Sequence, residues 1–199
     1  MGDHIPGARV VALDGRDHLP WEGDQEDVLR EIEAFLATVE DEAEPDRILA
    51  TVLHARVPEE RAAVLRGHVG RFRGTEIPAA VGALRATFDG PARAIRCAQA
   101  IVAHANALGV EASVGLHTGE CEVDGDVLSG VPVELADGVA SVATAGEVLV
   151  SSTVRDLVAG SGMEFTERGT VRLPVRDAPP EWRLYGAVTG AITVRLPVA

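Results

Sequence analysis

Apolar residues recur along this chain with two periods. After Asp24, the residues Val28, Leu29, Ile32, Phe35, Leu36 and Val39 fall three or four apart, the spacing of one helix face. Asp24 suits an N-cap, and Glu26 and Asp27 lie in the first turn, where the helix dipole favours acids. The spacing predicts a helix over 25–39. Ahead of it, residues 8–13 read as a short strand. Ile48-Leu49-Ala50-Thr51-Val52-Leu53 is a continuous apolar run, suited to a strand buried on both faces. Pro58 opens a helix with Ala62, Leu65, Val69 and Phe72 on one side. Residues 81–88 read as a strand. Pro91 opens the next helix, whose stripe runs through Ile95, Ala98, Ile101, Val102, Ala105 and Leu108 until Gly109 stops it.

Val110 to His117 reads as a strand, and Glu120 to Val127 as a hairpin turning at Asp124-Gly125. A helix follows over 131–143 and a strand over 147–150. Ser151 or Ser152 caps a short helix that ends at Gly160, and 163–196 is β-rich with a turn at Pro179-Pro180. Strands alternate with helices and then give way to hairpins. The class is therefore α/β or α+β with a mixed sheet.

Charge divides the chain. Residues 1–46 carry 14 acids against 3 arginines, a net of −11; residues 47–199 carry 17 acids against 15 arginines, a net of −2. The shift marks a boundary in the acidic stretch before Asp46. The overall −13 argues against a nucleic-acid partner, which requires a basic face. No apolar run reaches the roughly 20 residues that span a bilayer, and the N-terminus lacks the order of a secretory signal, so no membrane association is expected. Cys97 and Cys121 lack metal-ligand spacing and read as buried free thiols of a cytoplasmic protein. All 18 basic residues are arginine. Chemistry that needs a lysine, such as a P-loop or a Schiff base, is excluded.

Five separated blocks between residues 47 and 187 carry a family resemblance. They are Ile48–Leu53, Ala86–Ala94 (ATFDGPARA), Gly115–Glu120 (GLHTGE), Gly146–Ser151 (GEVLVS) and Glu181–Tyr185 (EWRLY). In this order they resemble the class III adenylate/guanylate cyclase homology domain, in its actinobacterial form. The resemblance implies a ferredoxin-like cyclase fold with a mixed, mainly antiparallel sheet flanked by helices. It implies a dimer whose site forms across the interface. Two carboxylates there hold two divalent metals, which help a ribose 3′-oxygen attack a nucleoside triphosphate.

This sequence departs from that pattern at each such position. The first metal carboxylate aligns with Arg56 and the second with Gly82. The base-reading lysine aligns with Pro78. The Asn and Arg that stabilise the transition state align with Glu134 and Gly138, one helical turn apart. The second base-reading position falls at Asp126 or Val127, which makes Asp126 a weak candidate. The segment between the first strand and Phe72 is shorter than the family's, and no glycine in Val57-Pro58-Glu59-Glu60 could cradle a phosphate.

Residues 7–39 are similar to the C-terminal end of an α/β-hydrolase, in which His18 would be the base of a Ser-His-acid triad. No Gly-x-Ser-x-Gly is present in this sequence, so His18 is read as a relic or, in a longer protein, as one member of a triad completed elsewhere. His117 belongs to the GLHTGE block and reads as structural. His54, His68 and His104 are not spaced as a metal set, so no metal and no cofactor are expected.

The domains expected are a hydrolase remnant with its linker over 1–46, a cyclase homology domain over 47–187, and a strand or tail over 188–199. The function expected is that of an inactive cyclase homologue with a regulatory, dimerising or scaffold role, as a homodimer or with a protein partner. Three alternatives stand beside it: a metal-independent nucleotide or small-ligand sensor, a residual cyclase, and an enzyme of another class using Glu134 and Asp137.

Overall fold

The computed structural model describes residues 10–12, 25–41, 46–125 and 127–188. The chain divides into two compact units, Met1–Glu44 and Pro45–Ala199. Within the first, the predicted helix is present as α1 (Glu26–Asp41), opened by Glu26 and Asp27. Its apolar positions Leu29, Ile32 and Leu36 are about half exposed. Residues 10–12 form no strand, contrary to the reading of 8–13; the rest of that segment, with His18, lies outside the described residues.

The second unit is one eight-stranded sheet with helices. Its elements are β1 (Asp46–Arg56), α2 (Glu59–Arg71), β2 (Thr75–Ile77), β3 (Ala83–Phe88), α3 (Pro91–Ala107), β4 (Ser113–Asp124), β5 (Val127–Ser129), α4 (Val131–Val142), β6 (Val148–Ser151), α5 (Ser152–Leu157), β7 (Phe165–Arg172) and β8 (Glu181–Ala187). The strand order is β2-β3-β1-β4-β6-β8-β7, with β5 paired to β4. Among these pairs only β4 with β6 is parallel. The mixed, mainly antiparallel sheet expected from the sequence is therefore observed.

Alternation along β1 sorts the core. Leu53, Ala55 and Val57 face the cluster built with α2 and α3, whose Leu65, Val69, Ile95, Ala98 and Ile101 pack there. Ala50 and Val52 face the other way, against Cys121, Val133 and Ala136 of β4 and α4. A third cluster joins Leu135 and Val139 of α4 to Leu149, Leu173 and Leu184. The apolar run of β1 is not buried throughout. Ala50 to Ala55 are buried, but Ile48 and Leu49 are 45% and 72% exposed. Both cysteines are buried and unpaired, and burial pushes the Cys97 thiol up to about 12 and Cys121 up to about 11. No helix among the described residues is long and apolar enough to cross a membrane.

Two further elements differ from expectation. Residues 113–124 form one strand, where a strand and a separate hairpin were predicted; the hairpin turn at Asp124-Gly125 is present, and its partner strand is β5. The three-residue β2 was not predicted. The glycines of GLHTGE explain the first difference. A Cβ on Gly115 would lie 2.2 Å from the Ala140 nitrogen and 2.5 Å from the Ala136 oxygen, both helix backbone. A Cβ on Gly119 would lie 2.7 Å from the Pro132 ring. These residues are glycine because α4 lies directly on β4. They do not end the strand.

Backbone cannot yield as a side chain tip can. Gly115→Ala is expected to lower unfolding free energy by about 3 kcal/mol or more, read from urea midpoints. Gly138 is the contrasting case. It is helical, and an added Cβ would make ordinary contacts of 3.5–3.7 Å with Leu173. Gly138→Ala is expected to raise stability by about 1 kcal/mol in the same measurement.

Candidate functional site

The end of β1 and the β2–β3 connection form one wall of a cleft. In register, Arg56 lies beside Ala83 of β3 on one side and Ser113 of β4 on the other. The Val57 N–H then donates to the Gly82 carbonyl at 3.0 Å. Gly82 has φ +78, the left-handed region that glycine enters freely. The cleft has a volume of about 400 Å³, and its lining includes Arg56, Pro58, Gly82, Glu111, Ser113 and Ala145. The fold thus brings together Arg56 and Gly82, 26 residues apart in sequence.

The other predicted positions lie elsewhere. Pro78 is exposed at the start of the β2–β3 connection, where its carbonyl accepts from Arg85 Nη1 at 3.3 Å. Glu134 is exposed in the first turn of α4, and Gly138 lies one turn further on. The cleft meets α4 only at its other end, at Ala143. Nine residues of helix separate that point from Glu134, about 13 Å. Asp126 lies outside the described residues.

Asp137, between these two positions, reaches the sheet. Its Oδ1 lies 3.3 Å from Nε2 of His54 on β1, while His54 Nδ1 accepts from Arg85 Nε at 3.4 Å. His54 is buried. Burial lowers its pKa, the Asp137 carboxylate opposes the shift, and Arg85 and Arg56 add to it. A neutral imidazole fits between donor and acceptor, with its proton on Nε2. The arrangement ties α4 to β1 and β3.

Among the described residues, no group of three or more His, Cys, Asp or Glu side chains could hold a metal. The cleft does not fit the pair of divalent ions that the resemblance implies. Arg56 brings a guanidinium to its wall and Gly82 brings no side chain. Glu111 is the single carboxylate among the lining residues. Glu111 and Ser113 were not singled out from the sequence. Glu111 lies in the irregular connection just before β4, read from the sequence only as part of a strand, and Ser113 is placed only by the β1–β4 register.

Three solved structures bear on this arrangement. The adenylyl cyclase CyaB from P. aeruginosa is 17% identical, at a TM-score of 0.64 over 75% of this chain and 98% of its own. The adenylate/guanylate cyclase/hydrolase from Silicibacter pomeroyi is 17% identical, at 0.64 over 73% and 99%. The non-canonical dimeric guanylyl cyclase domain of the RhoGC fusion protein from Blastocladiella emersonii is 13% identical, at 0.60 over 72% and 98%. The fold is that of class III adenylate/guanylate cyclase domains. No protein-family model and no curated protein sequence matches the chain. At such identities the cyclase likeness concerns the path of the backbone.

Within this cyclase fold, His117 is a packing residue. It is buried, its Nδ1 lies 2.8 Å from Ser151 Oγ, and its ring meets Trp182 edge-on at 5.2 Å. Ser151 Oγ also accepts from Val154 N–H and so caps α5. Burial pushes the His117 pKa down to about 4. The unfolded chain takes up a proton near 6.5 and the folded one does not, so stability falls as pH drops between these values. The expected loss is about 1.4 kcal/mol per pH unit, or about 3 kcal/mol between pH 6.5 and 4. His117→Gln should flatten that part of the stability–pH curve by the same amount, as read from urea unfolding at stepped pH.

Proposed function

We propose that this chain is a cyclase-fold domain that makes no cyclic nucleotide and serves as a dimerising, regulatory or scaffold module. One observation carries the reading: Arg56 and Gly82 share the wall of the cleft and stand where the resemblance places the two metal carboxylates. Divalent cations need hard anionic oxygens, and a guanidinium there repels them. The remaining positions point the same way. Pro78 has no donor to read a base. Gly138 has no charge to meet the developing phosphate charge, and Glu134 would oppose it. Since both halves of the usual set are lost, the chain supplies neither half of a site to an intact cyclase partner.

The assembly is a homodimer or a complex with a protein partner; the guanylyl cyclase domain of the RhoGC protein forms a non-canonical dimer. Residues 1–46 are read as a hydrolase remnant and acidic linker.

A second reading rests on the cleft itself. Its volume is about 400 Å³, with Arg56 and Ser113 in the lining. A guanidinium binds phosphate oxygens without a metal, so this would be a sensor of a phosphate-bearing small molecule.

Calorimetry with ATP and GTP, each with and without Mn²⁺, separates these readings. The leading one predicts no heat under any condition up to millimolar nucleotide. Heat without metal that disappears in Arg56→Ala supports the sensor. Binding that requires Mn²⁺ contradicts the loss of the metal site.

A further inference from the structure

His68 and His104 are 36 residues apart, and nothing in their spacing joins them. The fold does. His68 lies on α2 and His104 on α3, two helices that pack into the same core cluster on one face of the sheet. His68 Nε2 and His104 Nδ1 face each other at 2.9 Å, with the rings edge-to-face at 80°. Both side chains are half-buried. The other nitrogen of His68, Nδ1, is buried and has no hydrogen-bond partner. A proton shared between the two rings leaves that nitrogen unsatisfied in either tautomer. Protonated, it lacks an acceptor; unprotonated, it lacks a donor. An ion between the two facing nitrogens would take the place of the shared proton and leave Nδ1 as it stands.

We propose that His68 and His104 form a two-histidine clamp for a late first-row divalent cation, of which zinc is the commonest, bridging α2 and α3. The ligand atoms are His68 Nε2 and His104 Nδ1. Imidazole nitrogens bind such ions at about 2.0–2.1 Å. Two bonds of that length place the nitrogens about 2.9 Å apart at a right angle and about 3.4 Å apart at the tetrahedral angle. The observed 2.9 Å matches the separation at a right angle and is about half an ångström short of the tetrahedral one, so binding requires the rings to turn from each other towards the ion.

The chemistry of the pair agrees with this. Burial lowers the pKa of His68, and the neighbouring His104 and Arg71 lower it further. The ring is neutral at neutral pH, the form that ligates a metal. Among the described residues no group of three or more His, Cys, Asp or Glu side chains could hold a metal, so water completes the coordination. Such a site exchanges its ion with solution, unlike a closed four-ligand structural site. It is separate from the Arg56–Gly82 cleft, whose lining includes neither histidine.

The test uses the full chain and zinc alone. Titration calorimetry at pH 7.5 is expected to show a Zn²⁺ site in the unaltered chain. His68→Gln and His104→Gln should each weaken it roughly tenfold or more, since each removes one of two ligands. Zinc should raise the thermal midpoint of the unaltered chain and of neither glutamine variant. Imidazole ¹⁵N resonances of His68 and His104 should shift together on adding zinc, a readout that needs no variant to fold. Equal zinc affinity in the glutamine variants, unmoved resonances of the pair at saturating zinc, or no heat at millimolar zinc would overturn the proposal.

Discussion

The closest constraint in this molecule is the contact of α4 with β4. At Gly115 the helix backbone occupies the volume where any other residue would place its Cβ, and at Gly119 the Pro132 ring does the same. Between them, His117 turns inward to Ser151 and Trp182. This contact fixes the height of α4 above the sheet. It thereby fixes where Val133, Leu135, Ala136 and Val139 meet the two clusters beneath them. It also sets the reach of Asp137 to His54, so a polar tie lies next to the apolar one. Close packing of this kind tolerates few substitutions, whatever the protein does.

The cleft obeys a different rule. Its walls are held by backbone: the register of Arg56 with Ala83 and Ser113, and the bond from Val57 N–H to the Gly82 carbonyl. None of these depends on the side chain at 56, or on a side chain at 82. Chemistry at these positions can therefore be lost while strand ends and connection keep their places. Gly138 is similar. The helix has room there for a larger residue, so packing does not explain the glycine. The frame and the reaction are separable in this fold, and on the function proposed above the frame is what this chain keeps.

How much of this was legible in sequence depends on how local each signal is. The helix stripes and the proline starts at Pro58 and Pro91 marked α2 and α3 closely, since both signals lie within a few residues. A glycine inside a strand is ambiguous: the sequence reading ends one strand at His117 and starts a hairpin at Glu120, and only the presence of Pro132 shows Gly119 between them to be a contact point. The run from Ile48 to Leu53 reads as buried throughout. Whether anything covers Ile48 and Leu49 is decided by distant elements, and little does. Alignment of motif blocks put Arg56 and Gly82 at matched positions, and the structure places both on one cleft wall. Glu111, Ser113 and the His68–His104 contact were not legible, because strand register and helix packing alone bring them together.

The central claim is that the cyclase frame survives without the cyclase reaction. Turnover tests it most directly. The purified full chain is incubated at high concentration with ATP or GTP and with Mg²⁺ or Mn²⁺, and cyclic nucleotide is followed over hours by mass spectrometry. The account predicts no product above the protein-free background with either nucleotide or metal. Sustained formation of cyclic AMP or cyclic GMP, proportional to the amount of protein, would contradict it.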